Sequence, residues 1–237
     1  LWEYFTLTFK SESNAFLRKM VGIGLGITPF LMATTFHLGN IEMPVSFFKK
    51  CLLILLALLF LIFIFELFTN SKKPFSNIGN IFLGFFYIGA SFALIQFIAI
   101  NNGVFYPKII LGLLLLTWAN DTGAYVIGSQ VGKTPLFPRI SPNKTWEGSL
   151  GGVVVTFVIA WLLGVYVKKL STTDWLVLAG LVSVFGSIGD LIESMLKRSL
   201  GVKDSGNIMP GHGGFLDRFD AFMFLLPFAA VYLLWIR

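Results

Sequence analysis

Charge is scarce in this chain. Asp, Glu, Lys and Arg make up only 13% of its 237 residues, where a soluble domain carries about a quarter. So little charge cannot cover a water-facing surface, and an ordinary soluble globule is excluded. Cysteine is almost missing too. Cys51 stands alone, which excludes an internal disulfide; at the head of an apolar run it reads as a small buried or lipid-facing residue. Tyrosine is scarce beside phenylalanine, 6 against 26, a bias that suits lipid contact because the Phe ring needs no hydrogen-bond partner. No stretch sets basic residues among aromatics on a polar face. The formal charge of +6 therefore points to a membrane face or to anionic phosphate substrates, and no nucleic acid is expected. There is no internal repeat, no low-complexity segment and no cleavable signal pattern. The chain starts at Leu1 rather than Met and reads as a fragment without its natural N-terminus.

What is abundant is apolar sequence in long runs: 56% of residues are hydrophobic, with mean hydropathy +0.80. A spanning helix needs roughly 20 apolar residues. Seven runs qualify, at about 15–37, 50–69, 77–100, 108–128, 147–168, 174–194 and 219–236. They are continuous rather than alternating, which argues for helices against a β-barrel. The expected fold is an all-α, polytopic membrane bundle forming one domain over residues 1–237. Residues 129–146 and 195–218 are its two long polar loops. With seven spans, the face bearing the N-terminus, the 70–76 turn and both loops carries twelve Lys and Arg, against six (Lys49, Lys50, Lys108, Lys168, Lys169, Arg237) opposite. That bias places the loops in the cytoplasm.

Polar residues at membrane depth need a reason. Asp121 closes one apolar run, in Thr117-Trp118-Ala119-Asn120-Asp121-Thr122-Gly123-Ala124-Tyr125. Asp190 and Glu193 close another, three residues apart and so on one helix face. Asp217 and Asp220 open the last run with the same spacing. All of these fall at the cytoplasmic ends of their helices, beside Lys197, Arg198, Lys203 and Arg218. Carboxylates suit Mg²⁺, which keeps waters and takes substrate phosphate oxygens; the cations neutralise what phosphate charge remains. A purely basic juxtamembrane cluster would leave the carboxylates unexplained. Pro210-Gly211-His212-Gly213-Gly214 offers backbone freedom for close ligand approach, and Ser141-Pro142-Asn143-Lys144-Thr145-Trp146-Glu147-Gly148 reads as a helix start able to hold phosphate. Two patterns mislead. Gly128 to Thr134, GSQVGKT, has one residue too few between its glycines for a P-loop and follows a membrane helix rather than a strand. Asn143-Lys144-Thr145 matches a glycosylation acceptor but falls in the cytoplasm.

The run from Ser194 to Asp220, SMLKRSLGVKDSGNIMPGHGGFLDRFD, closely resembles the signature of CDP-diacylglycerol synthases, the phosphatidate cytidylyltransferases, with Met209 a mild departure. The resemblance extends over about 117–220; residues 1–110 match only as generic membrane helices. Members of that family have more N-terminal spans, so part of the fold is expected to be missing. The resemblance implies an enzyme that transfers CMP from CTP to phosphatidate, releasing pyrophosphate. It implies Asp190 and Asp217 as ligands of Mg²⁺, with a second cation as an option. It implies a catalytic set of Lys197, Arg198, Lys203, Asp204, His212, Arg218 and Asp220. Asp121, Ser141, Asn143, Lys144, Gly213 and Gly214 would contact substrate. The implied partners are CTP, phosphatidate and membrane lipids, with a homodimer as the assembly. The implied location is the bacterial inner membrane, with the active site on the cytoplasmic side. Three rivals remain: another CTP-using lipid enzyme such as a polyprenol kinase, an inactive scaffold, and a transporter. The last would show mid-bilayer charges and an inverted repeat, and neither is seen.

Overall fold

In hydrocarbon a backbone amide has no water to bond, so each spanning segment must satisfy its own hydrogen bonds. The computed structural model follows that rule, and describes residues 1–10, 12, 14–38, 45–101, 103–206 and 213–236. Among the described residues, seven helices are long and apolar enough to cross a membrane. All seven overlap the runs expected from sequence. A short helix precedes them, α1 (Trp2–Thr8), and two short two-stranded sheets interrupt them. The chain divides into two compact units, Leu1–Val104 and Phe105–Arg237.

The first unit comprises α1, α2 (Ala15–Leu38), α3 (Val45–Leu67) and α4 (Pro74–Ala99), the last with a π-helical turn at Gly84–Ala90. α1 is too short to span, yet Tyr4 and Phe5 are wholly buried. The Tyr4 hydroxyl donates to the Asn80 carbonyl at 3.0 Å. A buried polar cluster ties the longer helices. Arg18 on α2 meets Glu66 on α3 through two hydrogen bonds of 3.1 and 3.0 Å, and Asn77 on α4 donates to the same carboxylate at 2.5 Å. The outer face of α3 exposes Leu52, Leu53, Ile54, Leu56 and Phe60, as lipid contact requires.

The second unit holds α5 (Pro107–Val131), the hairpin β1 (Pro135–Phe137) and β2 (Ser141–Thr145), α6 (Trp146–Tyr166), α7 (Thr172–Ser199) and α8 (Leu216–Trp235). Its core is Leu113, Leu116, Trp175, Leu178, Phe222 and Leu225, none exposed by more than 2%. α5 and α6 approach closely because glycine allows it: a Cβ on Gly152 would lie 2.6 Å from the Asn120 carbonyl oxygen. α6 starts where Thr145 accepts a hydrogen bond from Gly148 N at 3.1 Å, an N-cap that satisfies an orphan amide. The segment before it is a strand, so the helix start expected over Ser141 to Gly148 begins only at Trp146. α7 opens on a capping box formed by Ser171 and Asp174 and runs 28 residues, about 42 Å at about 1.5 Å each. That exceeds the roughly 30 Å of hydrocarbon, so its last turns can reach water while still helical. Lys197 and Arg198, expected in a loop, sit on those turns.

Candidate active site

The hairpin positions the first group. β1 and β2 pair antiparallel, with Pro135 opposite Thr145. Glu147, in the first turn of α6, fastens the approach to β1. Its carboxylate accepts from Lys133 N at 3.1 Å, from Thr134 N at 3.1 and 3.2 Å, and from the Thr134 hydroxyl at 2.8 Å. Two backbone amides of the P-loop look-alike, those of Lys133 and Thr134, are thus occupied by a side chain of the protein itself. Held in this way, β2 presents Asn143 and Lys144 to an open cavity of about 460 Å³, which Asn120 and Asp121 of α5 and Ser187 and Asp190 of α7 also line. Lys144 forms an ion pair with Asp190, both side chains being about 30% exposed. Asp121 and Asp220 each lie within electrostatic reach of Asp190 and Lys144, and Asp121 also of Arg218. One end of the unit therefore gathers three carboxylates around one lysine.

A second group adjoins it on α7 and α8. Glu193 is fully buried, and Lys197 Nζ, one turn on, lies 2.5 Å from its Oε2. The same ammonium donates to Asp217 Oδ1 at 2.8 Å. Asp217 Oδ2 accepts from Ser205 N at 3.0 Å, from the Ser205 hydroxyl at 3.0 Å and from Gly214 N at 2.7 Å. Gly213 carries φ +80°, and a Cβ there would come within 2.7 Å of Asp217 Oδ2. A side chain is thus excluded by both conformation and space. Lys197 is one cation between two carboxylates at the end of a membrane helix.

The sequence-derived set divides as follows. Asp121, Asn143, Lys144 and Asp190 share the cavity. Asp220 is buried just behind it. Lys197, Asp217 and Gly214 form the second group. Ser141 is on β2 but not in the cavity lining. Arg198 turns back to donate to the Val202 carbonyl at 3.2 Å, and Lys203, Asp204 and Arg218 are exposed. His212 lies outside the described residues. Sequence reasoning noted Glu193 without giving it a role, although its i,i+4 spacing to Lys197 was a usable signal. It missed Ser205, Asn120 and Glu147 as site-builders; nothing local marks Ser205, whose partner is twelve residues away.

Could these residues hold a metal? Among the described residues no three acidic, histidine or cysteine side chains form a ready-made cage. Mg²⁺ does not need one, since it binds through one or two carboxylates, waters and substrate phosphates. Asp121 and Asp190 face one cavity, together with Asp220 they outnumber the single Lys144, and their oxygens are hard donors, so they fit. Asp217 fits less well as found, because Lys197, Ser205 and Gly214 already take both of its oxygens.

The cytidylyltransferase family matches residues 1–236. The chain is 44% identical over 198 residues to the phosphatidate cytidylyltransferase of Bacillus subtilis, a match covering 80% of this chain and 67% of that protein. It is 39% identical over 181 residues to that of Staphylococcus saprophyticus (76% of this chain, 68% of that protein). It is 38% identical over 182 residues to that of Staphylococcus aureus strain COL, with the same two coverages.

Proposed function

The chain belongs to the cytidylyltransferase family, and from that premise we propose that it is a phosphatidate cytidylyltransferase working at the cavity between α5, β2 and α7. It is a CTP-dependent nucleotidyltransferase of phospholipid biosynthesis and an integral membrane protein. A phosphate oxygen of phosphatidate attacks the α-phosphorus of CTP. The new P–O–P linkage forms as the α–β bond breaks, and pyrophosphate leaves. The attacking monoester is already anionic near neutral pH, so no strong general base is required; the task is positioning and charge neutralisation. The observation that carries this reading is the convergence of Asp121, Lys144 and Asp190 on one open cavity at the polar end of the membrane helices.

Each residue then has work that follows from its surroundings. Lys144, oriented by Asp190, meets incoming phosphate oxygens as a point charge. Lys197, braced by Glu193 and Asp217, adds positive charge beside them, and Asp217 holds the Gly214 turn in shape. Arg198 at the end of α7, and Lys203, Asp204 and His212 in the connection to α8, are proposed to act beside them. Mg²⁺ held by Asp190 with Asp121 and Asp220 would supply Lewis-acid polarisation and a template for the phosphates; Asp217 joins that set only by giving up Lys197. An active site on the cytoplasmic side of a bacterial inner membrane, reached by CTP from water and by phosphatidate from the leaflet, is part of the proposal. So is a homodimer, which light scattering on the detergent-solubilised protein tests.

The test is turnover of labelled CTP by the purified chain with phosphatidate, with and without Mg²⁺. The expected result is a lipid-soluble cytidine product that requires both. Lys144→Gln should lower kcat/KM on the order of 100-fold, as loss of one aimed charge-stabilising donor does. Absence of product with phosphatidate, but transfer to a polyprenol, would replace this reading with the lipid-kinase alternative.

A further inference from the structure

Asp121 and Asp190 reach the cavity from different helices, α5 and α7, and neither helix alone fixes the gap between them. That gap is set where the two helices touch, and the side chain at that point is Asn120. It is buried next to Asp121 and lines the same cavity. Its Nδ2 donates to the Ser187 hydroxyl on α7 at 3.4 Å. Ser187 stands three residues before Asp190, on the same helix face, and it lines the cavity too. Among the described residues this is the one hydrogen bond that joins α5 to α7.

The amide has little room to turn away. α6 stands against its other side, where the wholly buried Thr156 hydroxyl lies 3.5 Å from Asn120 Oδ1. A Cβ on Gly152 would come within 3.0 Å of the same oxygen. The approach of α5 to α6 does not need the amide, because glycine closes it: a Cβ on Gly123 would lie 2.9 Å from Val155 Cβ. What the amide adds is the tie to α7. That tie falls where α7 is least regular, since a π-helical turn, Val182–Gly186, ends immediately before Ser187. Turns of this kind collect at functional sites. The wider winding leaves the direction of the next helical face to be set by a contact from outside the helix, and Asn120 supplies one.

We propose that Asn120 is a positioning residue of the active site: by tying α5 to Ser187 it fixes the separation of Asp121 and Asp190, and through Asp190 the placement of Lys144. The inference rests on the reading of this cavity as the catalytic one. A neutral amide sets the spacing without adding charge to a site that already gathers three carboxylates around one lysine. Reacting groups misplaced by about 1 Å cost on the order of 100-fold in rate, so a single tie between helices has leverage on the chemistry.

The experiment reads geometry and turnover separately on the purified full chain. In a Cys51→Ser background, spin labels at Val126→Cys on α5 and Met195→Cys on α7, both exposed positions, report the distance between the helices by pulsed electron paramagnetic resonance. Asn120→Ala should shift or broaden that distance distribution, and Ser187→Ala should do the same. An unchanged distribution overturns the proposal, whatever the substrate proves to be. In turnover, Asn120→Ala should lower kcat by about 10- to 100-fold with KM for CTP changed less than about threefold. Ser187→Thr, which keeps the hydroxyl, should retain most of the kcat that Ser187→Ala loses. The double variant Asn120→Ala/Ser187→Ala should be no slower than the slower single variant, because both substitutions remove one contact. Losses that multiply would make the two side chains independent and overturn the tie. A lowered melting temperature with kcat intact in the folded protein would make Asn120 a packing residue only, which also overturns it. If Asn120→Ala does not fold, the distances and rates of Ser187→Ala and Ser187→Thr decide. If the unsubstituted protein does not use phosphatidate, the proposed function falls, while the distance measurement still decides whether Asn120 sets the gap.

Discussion

At Lys197, structural and chemical demands fall on one side chain. Its ammonium bridges Glu193, wholly buried, and Asp217, 12% exposed. Removing it leaves two carboxylates facing each other with little water, and breaking a buried pair in this way costs about 3–5 kcal/mol. Lys197→Met should lower the melting temperature in detergent and abolish turnover. Adding Glu193→Leu removes the stranded charge, so the double variant should recover much of the stability and none of the activity. If activity returned with stability, Lys197 would be a structural residue only. The charged members of the site were legible in the sequence because carboxylates at the ends of apolar runs are costly. Their pairing was not. The same spacing that put Asp190 and Glu193 on one face could not say that Asp190 would meet Lys144 from a hairpin while Glu193 would meet Lys197. Nor could it say that Asp217 would be filled by Ser205 and Gly214. Those are contacts between elements, and the sequence carries them only through the fold.

Elements show the same division. α6 and its Thr145 cap were readable as a helix start, but β1 and β2 were not, since three and five residues with Pro135 and Pro142 among them offer no alternation to detect. The hairpin owes its placement to Glu147, whose carboxylate holds the Lys133 and Thr134 amides. Glu147→Ala should free the 132–145 segment. The expected result is faster proteolysis there and a KM for CTP raised several-fold with a smaller change in kcat, because Lys144 would be delivered less often rather than removed. An unchanged KM would mean that the β-pairing alone holds the hairpin. In the first unit, Glu66 is the only charged residue of the apolar run Cys51–Phe68. Arg18 of α2 as the partner could not be read from two residues 48 apart. The pair is buried, 0% and 1% exposed at the side chains. Glu66→Ala should therefore cost about 3–5 kcal/mol, and the double variant Arg18→Leu/Glu66→Leu much less; thermal denaturation of the three proteins in one detergent decides it.

For the whole molecule, hydrocarbon thickness did most of the specifying. Seven runs of the required length became seven helices because each must close its own hydrogen bonds, whatever it packs against. The division into two compact units was not foreseen, since continuous apolar sequence marks no boundary near Val104. Sidedness rests on the charge bias alone: twelve Lys and Arg on the face of the polar loops against six opposite. It is open to direct measurement. Cys51 is the natural cysteine, so a Cys51→Ser background gives a silent chain. Arg139→Cys places a thiol between β1 and β2, on the face of the candidate active site. Thr173→Cys places one at the start of α7, on the opposite face. Both positions are exposed. A membrane-impermeant maleimide added to intact cells should label Thr173→Cys and spare Arg139→Cys, and permeabilising the membrane should make both react. The reverse pattern would turn the site away from the cytoplasmic pool of CTP, and a soluble nucleotide could then reach it only by crossing the membrane first.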